Sequence, residues 1–94
     1  MKKPRGRKPK KVAQEISQSD LADRMNAISG EIRARREAMT TIEAFSYEIN
    51  ISRNSQIGYE NGGDMYLSTF LKLLHGLDTT PDEFFQKIKS VFKK

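Results

Sequence analysis

Cysteine is absent from this 94-residue sequence and histidine occurs only once, which removes several classes of protein. Without cysteine the chain has no disulfide framework, no thiolate metal site and no cysteine nucleophile. His75 lies inside an apolar stretch, where a single histidine more often belongs to a helix surface or core edge than to a catalytic or metal site. The acidic residues are spread along the chain, and no glycine-rich phosphate loop is present. We therefore expect no enzyme, no metal, no cofactor and no small-molecule substrate.

Long hydrophobic runs are also missing. No apolar run approaches the length that crosses a bilayer, and no apolar segment typical of a signal peptide follows the basic first residues. The length leaves room for one domain. We therefore predict a soluble, cytoplasmic protein that does not enter a membrane.

Acidic residues are absent from the first eleven positions, which carry seven lysines and arginines. Because the whole chain carries +5, residues 12–94 carry −2, from 10 basic and 12 acidic side chains. Pro4, Pro9 and Gly6 oppose a regular helix in the basic segment, and the like charges repel one another. We predict a disordered basic arm over residues 1–18 that attracts a polyanion, followed by a folded domain over residues 19–94.

The rest of the chain shows helical periodicity, and no segment alternates apolar and polar residues as a strand would. The pattern predicts an all-α fold of five helices. The first covers residues 20–38, the second follows Thr40, the third covers 52–60, the fourth covers 67–77, and the fifth begins at Pro81 and carries Phe92 on its apolar face.

Residues with capping and turn preferences mark the helix ends. Ser19 or Asp20 is expected to cap the first helix. Thr40 and Glu43 have the spacing of a capping box for the second helix, as do Thr80 and Glu83 for the fifth. Asn50 is predicted to end the second helix in the left-handed conformation, and Ser52 to cap the third.

The second and third helices are short, and a tight turn around residues 48–51 joins them. In a DNA-binding arrangement, the second helix of such a pair enters the major groove and the first lies across the backbone. The third helix begins with side chains that suit this role, because Arg pairs with guanine, Asn and Gln pair with adenine, and Ser reaches phosphate or base. The alternative is a polar helix that is simply solvated.

The stretch from Ile28 to Phe85 resembles the Cro/C1-type (xenobiotic-response-element) helix-turn-helix family. The resemblance covers about 60 of the 94 residues. It is carried, in chain order, by IRARR at 32–36, ISR at 51–53, ENG at 60–62, LSTFLKLL at 67–74, Leu77, and DEFF at 82–85. It implies a five-helix, lambda-repressor-like domain that binds operator DNA as a transcriptional regulator, commonly as a dimer on a partly palindromic site.

The resemblance also implies roles for individual residues. Arg36 and Glu60 would form a structural ion pair between the first and third helices. The residues expected to contact double-stranded DNA are Thr41, Ser52, Arg53, Asn54, Ser55, Gln56 and Asn61. Among these, Arg53, Asn54 and Gln56 are the candidates for base edges, and the others for phosphates or caps.

The third helix departs from the family pattern at three consecutive positions. Gln56 stands where the family usually has an apolar residue, Ile57 where it usually has a polar one, and Gly58 follows. If these departures weaken the set of side chains that face the DNA groove, they favour a protein-interaction module on the same fold, such as an antitoxin-like or regulator-binding domain. A homodimer is expected if DNA is the partner, because one short helix contacts few base pairs.

The basic arm has a resemblance of its own. Pro4-Arg5-Gly6-Arg7 is similar to the AT-hook, whose arginines lie along a narrow A·T minor groove. Lys8 separates Arg7 from Pro9, whereas the motif has proline directly after arginine. Arg5 and Arg7 are therefore predicted DNA contacts, either in the minor groove or on phosphate. A solubilising tail is the alternative.

Overall fold

A computed structural model of the protein describes residues 13–93, which form six helices and no strand. The helices are α1 (Gln18–Met39), α2 (Ile42–Glu48), α3 (Arg53–Tyr59), α4 (Leu67–Gly76), α5 (Pro81–Gln86) and α6 (Lys89–Phe92). The predicted all-α fold is confirmed. Residues 1–12 of the basic arm, with the predicted contacts Arg5 and Arg7, lie outside the described residues.

The prediction of five helices is wrong because the last predicted helix is divided in two. The chain leaves the helical conformation at Ile88, where φ is −122° and ψ is 18°. This break brings the ring of Phe92 edge-on to Phe85, with 5.6 Å between centroids. The guanidinium of Arg24 in α1 lies 5.3 Å from the Phe92 centroid. Apolar spacing alone is continuous across Ile88 and does not reveal this tertiary contact.

Two predicted caps are displaced, that of α1 by two or three residues and that of α2 by one. The N-cap of α1 is Ser17, whose hydroxyl accepts from the amide of Asp20 at 3.1 Å, so the prediction of Ser19 or Asp20 is wrong. Thr40 ends α1, because its amide donates to the carbonyl of Arg36 at 2.9 Å. The cap of α2 is therefore Thr41, which accepts from the amide of Ala44 at 3.2 Å, and the predicted capping box at Thr40 is absent.

Other predicted ends are confirmed. Asn50 has a φ of 60° and lies between α2 and α3. Ser52 caps α3 by accepting from the amide of Ser55 at 3.0 Å. Thr80 and Glu83 form a complete capping box at the start of α5.

Six buried apolar side chains from α1, α2, α4, α5 and the residue after α4 form the core. They are Ile32, Phe45, Leu73, Leu74, Leu77 and Phe84. The apolar face of α4 runs through residues 70, 73, 74 and 77, whereas Leu67 and Leu71 are exposed. Among residues 13–93, no helix combines the length and the hydrophobicity of a membrane span.

Candidate nucleic-acid interface

The connection between α2 and α3 is a four-residue turn, residues 49–52, with internal hydrogen bonds. The amide of Ile51 donates to the carbonyl of Ser46 at 2.9 Å, and the amide of Asn50 donates to the carbonyl of Tyr47 at 3.2 Å. Asn50 adopts the left-handed conformation, which asparagine accepts at lower cost than most residues. These contacts fix the path of the chain from one short helix into the next.

The helix α3 has two chemically different faces. Gln56 is completely buried, at 0% exposure, and Glu60, one turn later, is buried as well. Residues two positions apart in an α-helix differ by about 200° around its axis. Position 58 therefore lies opposite Gln56, and Asn54, one turn before Gly58, lies on the same outward side and is exposed.

The prediction that Gln56 contacts a base edge is wrong. Its Nε2 donates to Oε2 of Glu60 at 2.8 Å, inside the protein. Its Oε1 has no hydrogen-bond donor within the part of the chain that the structure describes. The Gln56 side chain is therefore held in the interior of the domain.

Glu60, the buried partner of Gln56, also belongs to the ion pair predicted with Arg36. This ion pair is present. Nε of Arg36 donates to Oε2 of Glu60 at 2.9 Å, and Nη2 donates to Oε1 at 2.7 Å. The same guanidinium donates through Nη1 to the carbonyl of Thr40 at 3.2 Å. This bidentate pair joins the end of α1 to the C-terminal end of α3 and carries charge-assisted bonds to the carboxylate.

Protonation equilibria of the pair follow from these contacts. Burial raises the pKa of Glu60, but the hydrogen bonds from Arg36 and Gln56 and the positive charge of Arg36 outweigh it and hold the pKa of Glu60 below its ordinary range. The hydrogen bond to Glu60 raises the pKa of Arg36. The two groups are therefore charged at neutral pH, and each is the counter-ion of the other.

Arg53 is exposed at the start of α3 and is paired with α2. Its Nε donates to Oε2 of Glu43 at 2.8 Å, and both side chains are more than half exposed. This hydrogen bond lowers the pKa of Glu43. Because exposed pairs contribute little to stability, the guanidinium can exchange this carboxylate for another acceptor at small cost.

Four other predicted contacts are exposed and occupy the ends of α2 and α3. Thr41 caps α2, and Ser52 caps α3 and donates from its hydroxyl to that of Ser55 at 2.8 Å. Asn61 donates from Nδ2 to the carbonyl of Ile57 at 2.7 Å, which closes the last turn of α3. Each therefore has a local structural task in addition to its exposure.

Two exposed side chains beside this surface were not predicted. Lys72 on α4 donates from Nζ to the carbonyl of Asn50 at 3.4 Å, which places a cation at the turn between α2 and α3. Tyr47 on α2 is 87% exposed, although a tyrosine at this spacing is more often at the core edge. The position of α4 beside the turn is a tertiary contact, and no local signal in the sequence reports it.

Gly58 is at an interior position of α3, where glycine costs about 1 kcal/mol relative to alanine. A Cβ built at Gly58 would have no heavy atom within 4 Å. In contrast, a Cβ at Gly62, Gly63 or Gly76 would approach a neighbouring atom to 2.6–2.8 Å. Within residues 13–93, packing explains Gly63 and Gly76 and a φ of 88° explains Gly62, whereas neither explains Gly58 or Gly30.

The surface formed by α2, the turn and α3 offers donors and acceptors of the kinds that bases and phosphates recognise. Within residues 13–93 no three side chains of His, Asp or Glu are grouped as metal ligands. A comparison of the chain with protein-family models, with curated proteins and with solved structures finds no match in any of the three.

Proposed function

We propose that the protein is a sequence-specific DNA-binding transcriptional regulator of the helix-turn-helix class, whose α3 lies in the major groove. The observation that carries the proposal is the division of α3 into two faces. One face is anchored by the buried Gln56 and Glu60, the opposite face presents Asn54 to solvent, and Arg53 is exposed at the first residue of the helix. A helix held from behind by a buried ion pair can keep its outward side chains in one register.

The outward polar side chains have matching partners on base edges. Arg53 can donate two bonds to O6 and N7 of guanine, and Asn54 can pair with N6 and N7 of adenine; each such pair contributes about 1–3 kcal/mol of discrimination. Ser55 and Ser52 are the nearest hydroxyl groups on the same surface. Gln56 contacts no base edge in this proposal.

Residues around α3 and residues of the basic arm would contact the phosphates. Thr41 begins α2, Asn61 follows α3, and Lys72 stands at the turn between the two helices. Phosphate contacts of this kind fix orientation without carrying sequence information. The seven cations of residues 1–11 would supply most of the electrostatic attraction, because residues 12–94 carry −2.

A homodimer on a two-fold site is part of the proposal. The seven residues of α3 reach too few base pairs for high specificity in a genome, and doubling the helix across a dimer solves this. Phe84 of α5 is buried and Phe85 is half-buried, whereas Tyr66 and Leu67 at the start of α4 are 82% and 71% exposed. The exposed side of α4 is therefore the better dimer surface.

The direct test is selection of bound sites from random duplexes, followed by substitution. Arg53→Ala and Asn54→Ala are each expected to lower discrimination at one base position by roughly 10- to 100-fold, because a base contact of about 1–3 kcal/mol is lost. Arg33→Ala is the matched control, because Arg33 is as exposed as Arg53 and is paired with Glu37. Binding curves on the selected site and on single-base variants measure the effect. An unchanged sequence preference in both α3 variants would contradict the assigned reading surface.

A second prediction concerns the carboxylate that holds Arg53. Glu43→Gln removes a negative charge from the proposed interface and frees the guanidinium, so we expect affinity for duplex DNA to rise by roughly tenfold. Glu37→Gln is the control, because it removes the carboxylate of a comparable exposed pair on α1. Equal affinities for the two variants would show that Glu43 is remote from bound DNA.

A protein-interaction module is the second candidate. It is favoured by the exposed Leu67, which lines an apolar groove of about 350 Å³, and by the exposed Tyr66 that precedes it in the chain. The other residues that line this groove are Met25, Ile28, Met65, Phe70 and Phe85. Wild-type protein that ignores duplex DNA at low ionic strength would favour this candidate over the first.

A further inference from the structure

We infer that Gly58 is the point of closest approach between α3 and the duplex, and that its missing side chain sets the depth of the helix in the groove. The inference rests on the proposed function. It begins from an unexplained residue, since Gly58 interrupts a short helix and nothing in the described part of the chain requires a glycine there.

The position of Gly58 on the helix indicates what would fill the space. It lies opposite the buried Gln56 and one turn after the exposed Asn54, at the centre of the outward side. An α-helix with its side chains is about 10–12 Å across, and the major groove is about 12 Å wide. A side chain at the centre of the outward side therefore controls how near the helix axis comes to the bases.

Neighbouring side chains favour DNA as the occupant. Arg53 and Asn54 begin the same surface, Lys72 stands at its edge, and the cationic arm belongs to the same chain. With glycine at position 58, the backbone can approach the base edges until Asn54 is within hydrogen-bonding distance. A longer side chain at 58 would hold Asn54 away from them.

The experiment compares substitutions at the two glycines that have open space around a built Cβ, Gly58 in α3 and Gly30 in α1. Alanine at either position should raise Tm by roughly 4–8 °C, because glycine weakens a helix interior. Gly58→Leu should weaken binding to the selected DNA site by roughly 10- to 100-fold, and Gly58→Ala by less. Gly30→Ala and Gly30→Leu should bind that site as the wild-type protein does.

The outcomes separate this inference from the proposed function. If wild-type protein binds its selected site and Gly58→Leu binds it equally well, the inference is overturned and the proposed function stands. If Gly58→Ala lowers Tm, the space around Gly58 is occupied and the geometric premise is wrong. If wild-type protein binds no duplex, both proposals fail together.

Discussion

Replacing Glu60 with alanine is expected to lower the free energy of unfolding by about 3–5 kcal/mol, the usual cost of removing one partner of a buried ion pair. The variant leaves the guanidinium of Arg36 buried without its counter-ion, and Nε2 of Gln56 without its acceptor. Small domains have a total stability of about 5–15 kcal/mol. Urea unfolding followed by circular dichroism measures the change, and a loss of this size would leave a marginally folded protein.

The control for this prediction is an exposed pair of the same chemistry. Glu37→Ala breaks the pair between Arg33 and Glu37, whose side chains are more than half exposed, and should cost under about 1 kcal/mol. The double variant Arg36→Met with Glu60→Leu removes both charges and should recover the part of the lost stability that comes from the unpaired guanidinium. A Glu60→Ala variant as stable as Glu37→Ala would show that the buried pair does not hold α3 to α1.

Acid provides an independent measurement of the same pair. The pKa of Glu60 in the folded protein lies below its ordinary value of 4.5, so the unfolded state binds more protons in this range. The contribution of Glu60 to stability is therefore complete above pH 4.5 and is lost as the pH falls through the folded pKa. Glu60→Gln should remove this part of the pH dependence, and its stability should fall less steeply below pH 4.5.

Deleting residues 1–11 is expected to weaken binding to duplex DNA by roughly two orders of magnitude at low salt. The deletion removes the seven cations that give the chain its positive net charge. The logarithm of affinity falls against the logarithm of salt concentration by about 0.9 for each phosphate neutralised. If the segment neutralises between four and seven phosphates, its removal should reduce this slope by roughly 4–6. Titrations at several salt concentrations measure both quantities.

Two controls separate charge from length and from a specific motif. Replacing the seven cations by glutamine keeps the length of the segment and should reproduce the deletion. Arg5→Lys with Arg7→Lys keeps the charge and removes the AT-hook-like arginines, so a selective loss of binding beside A·T tracts would assign these residues to the minor groove. A deletion that leaves the salt dependence unchanged would exclude the segment from the complex.

Local side-chain chemistry accounts for much of what the sequence predicts correctly. Asn50, Ser52 and Thr80 act on backbone groups within a few residues, and such interactions can be found by inspection of the sequence. The errors at Ser17 and Thr41 arise where several residues that can cap a helix are adjacent, because the outcome depends on how far the neighbouring helix extends.

Tertiary contacts explain the errors that matter for function. Gln56 looks exposed from its polarity, but it is buried and donates to Glu60, whose carboxylate is held by Arg36 of α1. The break at Ile88 accompanies the packing of Phe92 against Phe85 and Arg24. Lys72 reaches the interface from another helix. In each case the contact that decides the outcome involves a residue outside the local sequence pattern, so the pattern does not show it.

The division of α3 into an anchored side and an outward side has a consequence for redesign. The ion pair and Gln56 use none of the exposed positions, so the residues that stabilise α3 are separate from those proposed to contact DNA. Positions 53 and 54, which are exposed, could be randomised together as a library without altering the buried pair or Gly58. Variants with new DNA preferences should then emerge from a scaffold that melts at nearly the same temperature throughout.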